Sequence, residues 1–167
     1  MSIISEENRA VEAMATRAQK VGYAFVVCDL FHVGHLKFLR AAKEYCDYLI
    51  VGVLTDEAVR AYKRKPVIPL NERVEIVRAL RCVNKVVIQN GRDPTETMKK
   101  LVEEGRTLSF LFHGDDWAVI PGTEYIESMG GQLIKLTYYQ PTTTTKIIAK
   151  IRSLKLWSSL GKYSGGF

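Results

Sequence analysis

Five short, mostly apolar runs alternate along this chain with stretches in which apolar residues recur at helical spacing. Such runs are typical of strands that are buried on both faces of a sheet. The predicted strands cover residues 23–27, 48–54, 85–88, 108–112 and 132–136. The predicted helices begin near residue 33 and cover residues 56–62, 71–80, 94–104, 123–129 and 143–154. Because this alternation requires crossover connections, the sequence predicts a three-layer α/β fold with a five-stranded parallel sheet flanked by helices.

The main domain is predicted to occupy residues 22–154, between a short extension and a tail. In residues 1–21, Val11, Met14 and Ala18 recur at helical spacing, so we expect an N-terminal helical extension. Residues 155–167 are predicted to form a C-terminal tail. A chain of 167 residues is long enough to bury a core without disulfide or metal staples.

Basic residues are in excess, with 24 Lys and Arg against 18 Asp and Glu and a formal net charge of +6. The excess favours anionic ligands such as nucleotides, nucleic acid or an acidic membrane surface. The apolar runs are far shorter than the roughly 20 residues that span a bilayer, and the first residues are too polar for a signal peptide. Cys28, Cys46 and Cys82 are widely spaced, which argues against a disulfide framework or a zinc ribbon. We therefore expect a cytoplasmic protein without membrane insertion.

Residues 28–35 (CDLFHVGH) lie where the first predicted strand gives way to the first helix. Ligands of open parallel sheets bind beyond the carboxyl ends of strands, and a helix N-terminus offers free N–H groups to phosphate. His32 and His35 are three residues apart and share one helix face, and Gly34 lets a phosphate approach the backbone. The pair therefore predicts a site for phosphoryl or nucleotidyl transfer. The alternatives are packed or surface histidines and a zinc site.

Several further motifs connect the chain to one family. They are DYLIVGVLTDE at 47–57, a lysine in the basic loop at 63, PLNER at 69–73, RCVNKV at 81–86, HGDDW at 113–117 and TTTKI at 143–147. From about residue 22 to residue 150 the chain resembles the cytidylyltransferase branch of the HxGH nucleotidyltransferase superfamily. It is most similar to the phosphonate cytidylyltransferases that accompany phosphoenolpyruvate mutases. It also resembles ethanolamine-phosphate and glycerol-3-phosphate cytidylyltransferases.

The resemblance implies a Rossmann-like fold and a homodimeric enzyme. Its reaction would transfer CMP from CTP, with Mg²⁺, to a small anionic phosphonate or phosphoalcohol and release pyrophosphate. In the family pattern His32 and His35 stabilise the transition state and the leaving pyrophosphate. Lys63 holds the α-phosphate and the incoming anion, a task that suits a flexible ammonium group.

The family pattern also assigns the binding residues. Those expected to contact the nucleotide are Val27, Cys28, Asp29, Arg81, Gly114, Asp115, Asp116, Thr143, Thr144 and Thr145. Those expected to contact the acceptor are Lys63, Trp117 and Tyr138. Asp29 is also a candidate metal ligand, or an organiser of the first loop, and Arg81 is alternatively a dimer contact.

Two positions depart from the family pattern. Where the family has a glycine before the aspartate of the first loop, this chain has Val26, Val27 and Cys28. Tyr138 stands where the family has an arginine before its last motif, so a bidentate phosphate clamp is absent there. Either another basic residue such as Lys146 substitutes for that clamp, or the triphosphate is held more weakly.

Two other functions are compatible with these residues. One is an ATP-using adenylyltransferase of the same superfamily. The other is a non-catalytic module that binds a nucleotide or, through its positive charge, a nucleic acid. The basic residues are dispersed and the sequence lacks the signatures of common RNA- and DNA-binding folds, so we do not expect nucleic acid as a partner. The identity of the acceptor is left open.

Overall fold

The computed structural model of the protein describes residues 18–137 and 139–159. Most of the predicted N-terminal extension, Tyr138, and residues 160–167 of the predicted tail lie outside these residues. The last helix runs to Ser159, so it includes the first five positions assigned to the tail. No glycine or proline interrupts the helical sequence before Gly161, which explains why the helix continues past residue 154.

A parallel sheet forms the centre of the described chain and confirms the predicted fold class. Its strands, in the described residues, are β1 (Val21–Val26), β2 (Tyr48–Leu54), β3 (Lys85–Gln89), β4 (Leu108–Gly114) and β5 (Gln132–Leu136). They lie in the order β3-β2-β1-β4-β5, and every neighbouring pair is parallel. Strand ends differ from the predicted ones by two residues or fewer, because the apolar runs define the buried strands well.

Helices connect successive strands. Within the described residues they are α1 (Val33–Tyr45), α2 (Asp56–Arg60), α3 (Leu70–Arg78), α4 (Thr95–Glu103), α5 (Thr123–Ser128) and α6 (Thr144–Ser159). Two buried clusters separate the layers. One contains Leu39 of α1 and Val77 of α3. The other contains Met98 of α4 and Ile126 of α5, so helices cover both faces of the sheet.

The strand order places the ends of β1 and β4 side by side. The chain builds the sheet outward from β1 through β2 to β3, and then returns to the other side of β1 with β4 and β5. In open parallel sheets the crevice at such a reversal, beyond the carboxyl ends of the strands, is where ligands bind. The loop that carries His32 and the end of β4 that carries His113 therefore meet at this position.

Candidate active site

A cavity of about 590 Å³ opens at the carboxyl ends of β1 and β4. Its walls come from the loop after β1, the start of α1, the loop after α2, the end of β4 and the start of α6. Among the residues predicted from the sequence, the structure brings together Val27, Asp29, His32, His35, Lys63, Gly114, Asp116, Trp117, Thr143, Thr144 and Thr145. Segments that are far apart in the sequence thus converge on one crevice.

His32 and His35 cap the start of α1 reciprocally. The N–H of Gly34 donates to Nδ1 of His32 at 3.0 Å, and the N–H of His32 donates to Nδ1 of His35 at 3.4 Å. The two ring centres lie 4.1 Å apart. Each contact satisfies a backbone donor that a helix N-terminus otherwise leaves without a partner, and each fixes the position of a ring.

These contacts also determine which ring nitrogen carries the proton. A neutral imidazole that accepts a hydrogen bond at Nδ1 has its hydrogen on Nε2. Burial lowers the pKa of His32, and burial together with the neighbouring His32 lowers the pKa of His35 to about 4. Both rings are therefore neutral at pH 7 and can each donate an Nε2–H to an anion in the cavity.

Gly34 has a different role from the one expected of it. A Cβ at this position would lie 2.7 Å from Cε1 and 2.9 Å from Nδ1 of His32, and 3.3 Å from the ring of Tyr139. The glycine therefore makes room for the His32 imidazole, which occupies the space over its Cα. The sequence had suggested that a phosphate approaches the backbone there.

Asp29 organises the loops around the cavity. Its carboxylate, which is 4% exposed, accepts from the N–H of Ile68 at 2.9 Å, the N–H of Val67 at 3.0 Å and the guanidinium of Arg64 at 2.8 Å. Burial alone would raise the pKa of Asp29, but these donors outweigh it and hold the pKa below its usual value. The adjacent Cys28 and Leu30 have positive φ values of 54° and 47°, so this turn is held in a conformation that such residues seldom adopt.

Arg73 anchors the same loops from inside the protein. Its fully buried side chain donates to the carbonyl of Val27 at 2.6 Å, to the carbonyl of Ile68 at 3.0 Å and to Asp56 at 2.5 Å. A single guanidinium therefore joins the end of β1, the loop before α3 and the first residue of α2. Arg73 belongs to the PLNER motif, but its role as an anchor was not predicted from the sequence.

The start of α6 closes the cavity from another side. Thr144 donates its hydroxyl hydrogen to the carbonyl of Asp29 at 2.9 Å, and the hydroxyl of Thr143 accepts from the N–H of Lys146 at 3.2 Å. The first turn of this helix thus faces the same crevice as the start of α1. Lys146, the candidate substitute for the missing arginine, donates to the carbonyl of Gln140.

The HGDDW motif contributes a ring pair to the wall. His113 and Trp117 have ring centres 4.6 Å apart, and Trp117 meets Tyr62 edge-on at 6.3 Å. Burial lowers the pKa of His113, so this ring is also uncharged at neutral pH. Lys63 is exposed at the cavity, and its Nζ lies 5.5 Å from the centre of the Tyr62 ring.

Three predicted nucleotide contacts do not line the cavity. Cys28 is buried in the core, where burial raises the pKa of its thiol to about 12. Asp115 is exposed, and its N–H donates to the carbonyl of Leu136. Arg81 is exposed in the loop before β3, at the amino-terminal edge of the sheet, and therefore opposite the cavity. The alternative for Arg81, a contact in a dimer, stays a prediction.

Tyr138 lies outside the described residues, but the cavity wall includes its neighbour Tyr139. Arg152, which was not predicted as a site residue, lines the cavity from α6. Arg152 is seven residues from Thr145, so both lie on one helix face. This spacing from Thr145 is the sequence feature from which Arg152 could have been predicted to line the cavity.

The described residues do not form a metal site built from several protein ligands for the expected magnesium ion. Among the described residues, no group of three or more His, Cys, Asp and Glu side chains is arranged to hold a metal ion. The oxygens of Asp29 already accept three N–H donors, so Asp29 does not fit the role of metal ligand. The phosphate oxygens of a nucleotide are ligands that magnesium prefers, so the magnesium expected from the resemblance stays a prediction.

A family model described as "Cytidylyltransferase-like" matches residues 5–150. The chain belongs to the cytidylyltransferase-like family. The bifunctional protein HldE of Geobacter metallireducens is 36% identical over 148 residues, which are 84% of this chain and 29% of that protein. Ethanolamine-phosphate cytidylyltransferase of Arabidopsis thaliana is 35% identical over 127 residues, 74% of this chain and 30% of that protein. The chain thus spans about three-tenths of the length of these curated relatives.

A solved structure supports the cytidylyltransferase-like fold. The lipopolysaccharide core biosynthesis protein from Thermoplasma volcanium superposes with a TM-score of 0.62 and 21% sequence identity, and the match covers 74% of this chain and 100% of that one. At this identity the likeness shows the fold. In the part of the chain that the structure describes, every helix is too short or too polar to cross a membrane.

Proposed function

We propose that this protein transfers CMP from the magnesium complex of CTP to an oxygen of a small phosphonate or phosphoalcohol. Candidate acceptors are 2-hydroxyethylphosphonate, 2-aminoethylphosphonate, ethanolamine phosphate and glycerol 3-phosphate. The observation that carries the proposal is the reciprocal cap of His32 and His35 on the cavity wall. Family membership supports nucleotidyl transfer, and the relative named ethanolamine-phosphate cytidylyltransferase supports a phosphoalcohol acceptor and CTP.

In the proposed step, an anionic oxygen of the acceptor attacks the α-phosphorus of CTP in line with the bond to the β-phosphate. The new P–O bond forms as the old one breaks, and the electron pair of the broken bond leaves on pyrophosphate. No residue has to remove a proton, because phosphate and phosphonate oxygens are already ionised near pH 7. Catalysis therefore depends on positioning and on stabilisation of the negative charge.

The residues on the cavity wall suit that task. The neutral rings of His32 and His35 offer Nε2–H donors that the helix cap holds in place, so they need little reorganisation as charge develops on the leaving group. Lys63 forms no ion pair with any described residue and is therefore available to the α-phosphate or the acceptor. The first turn of α6 offers backbone N–H groups to the terminal phosphates.

Pyrophosphate release from CTP, Mg²⁺ and each of the four acceptors tests the proposal. We expect turnover with at least one acceptor, and His35→Asn should lower kcat by a factor of about 100 while CTP binding changes much less. Lys99→Gln, on the exposed face of α4, is the control that should keep full activity. Absence of pyrophosphate with every acceptor, whether CTP or ATP is supplied, would show that the chain does not catalyse this reaction.

ATP is the second candidate nucleotide. The histidine cap offers donors to phosphate groups, which CTP and ATP both carry, so it does not distinguish the two nucleotides. The name of the HldE relatives does not say which nucleotide base they bind. The ratio of kcat/KM for CTP to that for ATP decides between them. A preference for ATP would preserve the transfer step but replace CMP with AMP in the product.

A further inference from the structure

Arg92 lies outside the motifs named above and packs against two aromatic rings of the cavity wall. Its Cζ is 4.2 Å from the ring centre of Trp117 and 5.0 Å from that of Tyr62, and both rings line the cavity. A guanidinium that stacks on two rings loses much of its freedom of orientation while its N–H groups stay available at the edge. The stacking therefore presents a fixed positive group beside the crevice.

Hydrogen bonds from a buried side chain fix the backbone of the loop that carries Arg92. Gln89, which is fully buried, donates from Nε2 to the carbonyl of Gly91 at 2.8 Å and to that of Arg92 at 3.4 Å. Its Oε1 accepts from the hydroxyl of Tyr23 at 2.6 Å. Burying two polar side chains costs free energy unless they are hydrogen-bonded to each other and to the backbone, as they are here.

Gly52 makes room for this buried pair. A Cβ on Gly52 would lie 2.0 Å from the Tyr23 hydroxyl and 2.9 Å from Oε1 of Gln89. Three strands, β1, β2 and β3, therefore cooperate to fix the backbone at residues 91 and 92.

Arg92 has no carboxylate to neutralise it among the described residues. It forms no ion pair there, and the neighbouring Asp93 carboxylate accepts from the N–H and hydroxyl of Thr95. Lys63 flanks the same Tyr62 ring from the loop after α2. Two cations that form no ion pair among the described residues thus lie within 5.5 Å of the centre of the Tyr62 ring, although only Lys63 has a role in the proposed transfer.

We propose that Arg92 selects an acceptor whose far end, opposite the attacking phosphonate or phosphate, carries a negative charge such as a carboxylate. This inference rests on the proposed function, because it concerns the acceptor of that reaction. Lys63 binds the phosphonate or phosphate group that carries the attacking oxygen, and Arg92 binds the charged group at the opposite end of the same acceptor. A carboxylate pairs with a guanidinium through two parallel N–H···O bonds, whereas an ammonium group is repelled.

Three phosphonates that share a two-carbon linker test the inference: 3-phosphonopropionate, 2-hydroxyethylphosphonate and 2-aminoethylphosphonate. The measurement is kcat and KM for each, with CTP and Mg²⁺, in wild type, Arg92→Gln and Arg92→Glu. We expect wild type to favour 3-phosphonopropionate over 2-aminoethylphosphonate in kcat/KM by a factor of about 10 or more, mostly through KM. Arg92→Gln should remove most of that preference, and Arg92→Glu should reverse it, while KM for CTP stays within about twofold.

Arg106→Gln is the matched control, since Arg106 stacks on Tyr48 at the start of β2, away from the cavity. It should leave the acceptor preference unchanged. If wild type and the Arg92 variants turn over the three acceptors with the same relative kcat/KM, Arg92 only supports the loop and the inference is overturned, while the proposed function stands. If no acceptor gives pyrophosphate with CTP or ATP, the proposed function fails and the inference fails with it.

Discussion

Acidification should destabilise this protein through His35, and replacing that residue with asparagine should remove the effect. Burial and the neighbouring His32 lower the pKa of His35 from 6.5 to about 4. The unfolded chain therefore binds a proton at His35 more readily than the folded protein does. The stability that the neutral ring contributes is complete above pH 6.5 and is lost as the pH falls from 6.5 towards 4.

The size of the effect follows from the two pKa values. For a group that changes from 6.5 to about 4 on folding, linkage gives a loss of about 2 kcal/mol in the free energy of unfolding between pH 7 and pH 5. Protonation places a hydrogen on Nδ1, the atom that accepts the N–H of His32, so the helix cap is lost together with neutrality. Asparagine offers an amide oxygen near the position of Nδ1 and does not titrate.

Urea unfolding of wild type and His35→Asn at pH 7 and pH 5, at constant ionic strength, measures the difference. Titrating groups that do not contact His35 act in both proteins and cancel in the comparison. The loss in wild type should exceed that in the variant by about 2 kcal/mol. Losses that agree within about 0.5 kcal/mol would refute the reasoning, because His35 would then titrate in the folded protein as it does in the unfolded chain.

Three other substitutions test separate parts of the site. Gly34→Ala places a methyl group against the His32 ring, so kcat should fall by about tenfold or more and the lost cap should cost about 1 kcal/mol in urea unfolding. Arg73→Met leaves Asp56 and two carbonyls without their buried partner, and it should lower the free energy of unfolding by about 3–5 kcal/mol; a change below about 1 kcal/mol would contradict the anchoring role. Asp29→Asn should destabilise the protein by about 1–3 kcal/mol and leave the Mg²⁺ concentration for half-maximal activity unchanged, whereas a shift in that concentration would restore Asp29 as a metal ligand.

The parts of the fold that local sequence determines were predictable. Apolar runs determine the strands, and the i, i+3 spacing of His32 and His35 determines that both rings share the first turn of α1. The position of Arg81 was predictable too, since a residue that precedes a strand of a parallel sheet lies at the edge opposite the ligand site. Arg81 was nevertheless predicted to contact the nucleotide, because its motif resembles one of the family.

Contacts between distant segments could not be predicted in the same way. Arg73 joins three segments and Gln89 reaches across the sheet to Tyr23, and both arrangements depend on which strands become neighbours. Gly34 shows a second limit. Its lack of a side chain was evident, but only the rotamer of His32 shows that an imidazole fills the space.

The hydrogen bond from Thr144 to the carbonyl of Asp29 has a consequence for biosynthesis. It links positions 115 residues apart, and such distant contacts form late because a large loop must close first. During translation, β1 to β4 emerge from the ribosome well before α6 does. A nascent chain therefore carries its histidine pair long before the start of α6 can complete the wall of the cavity.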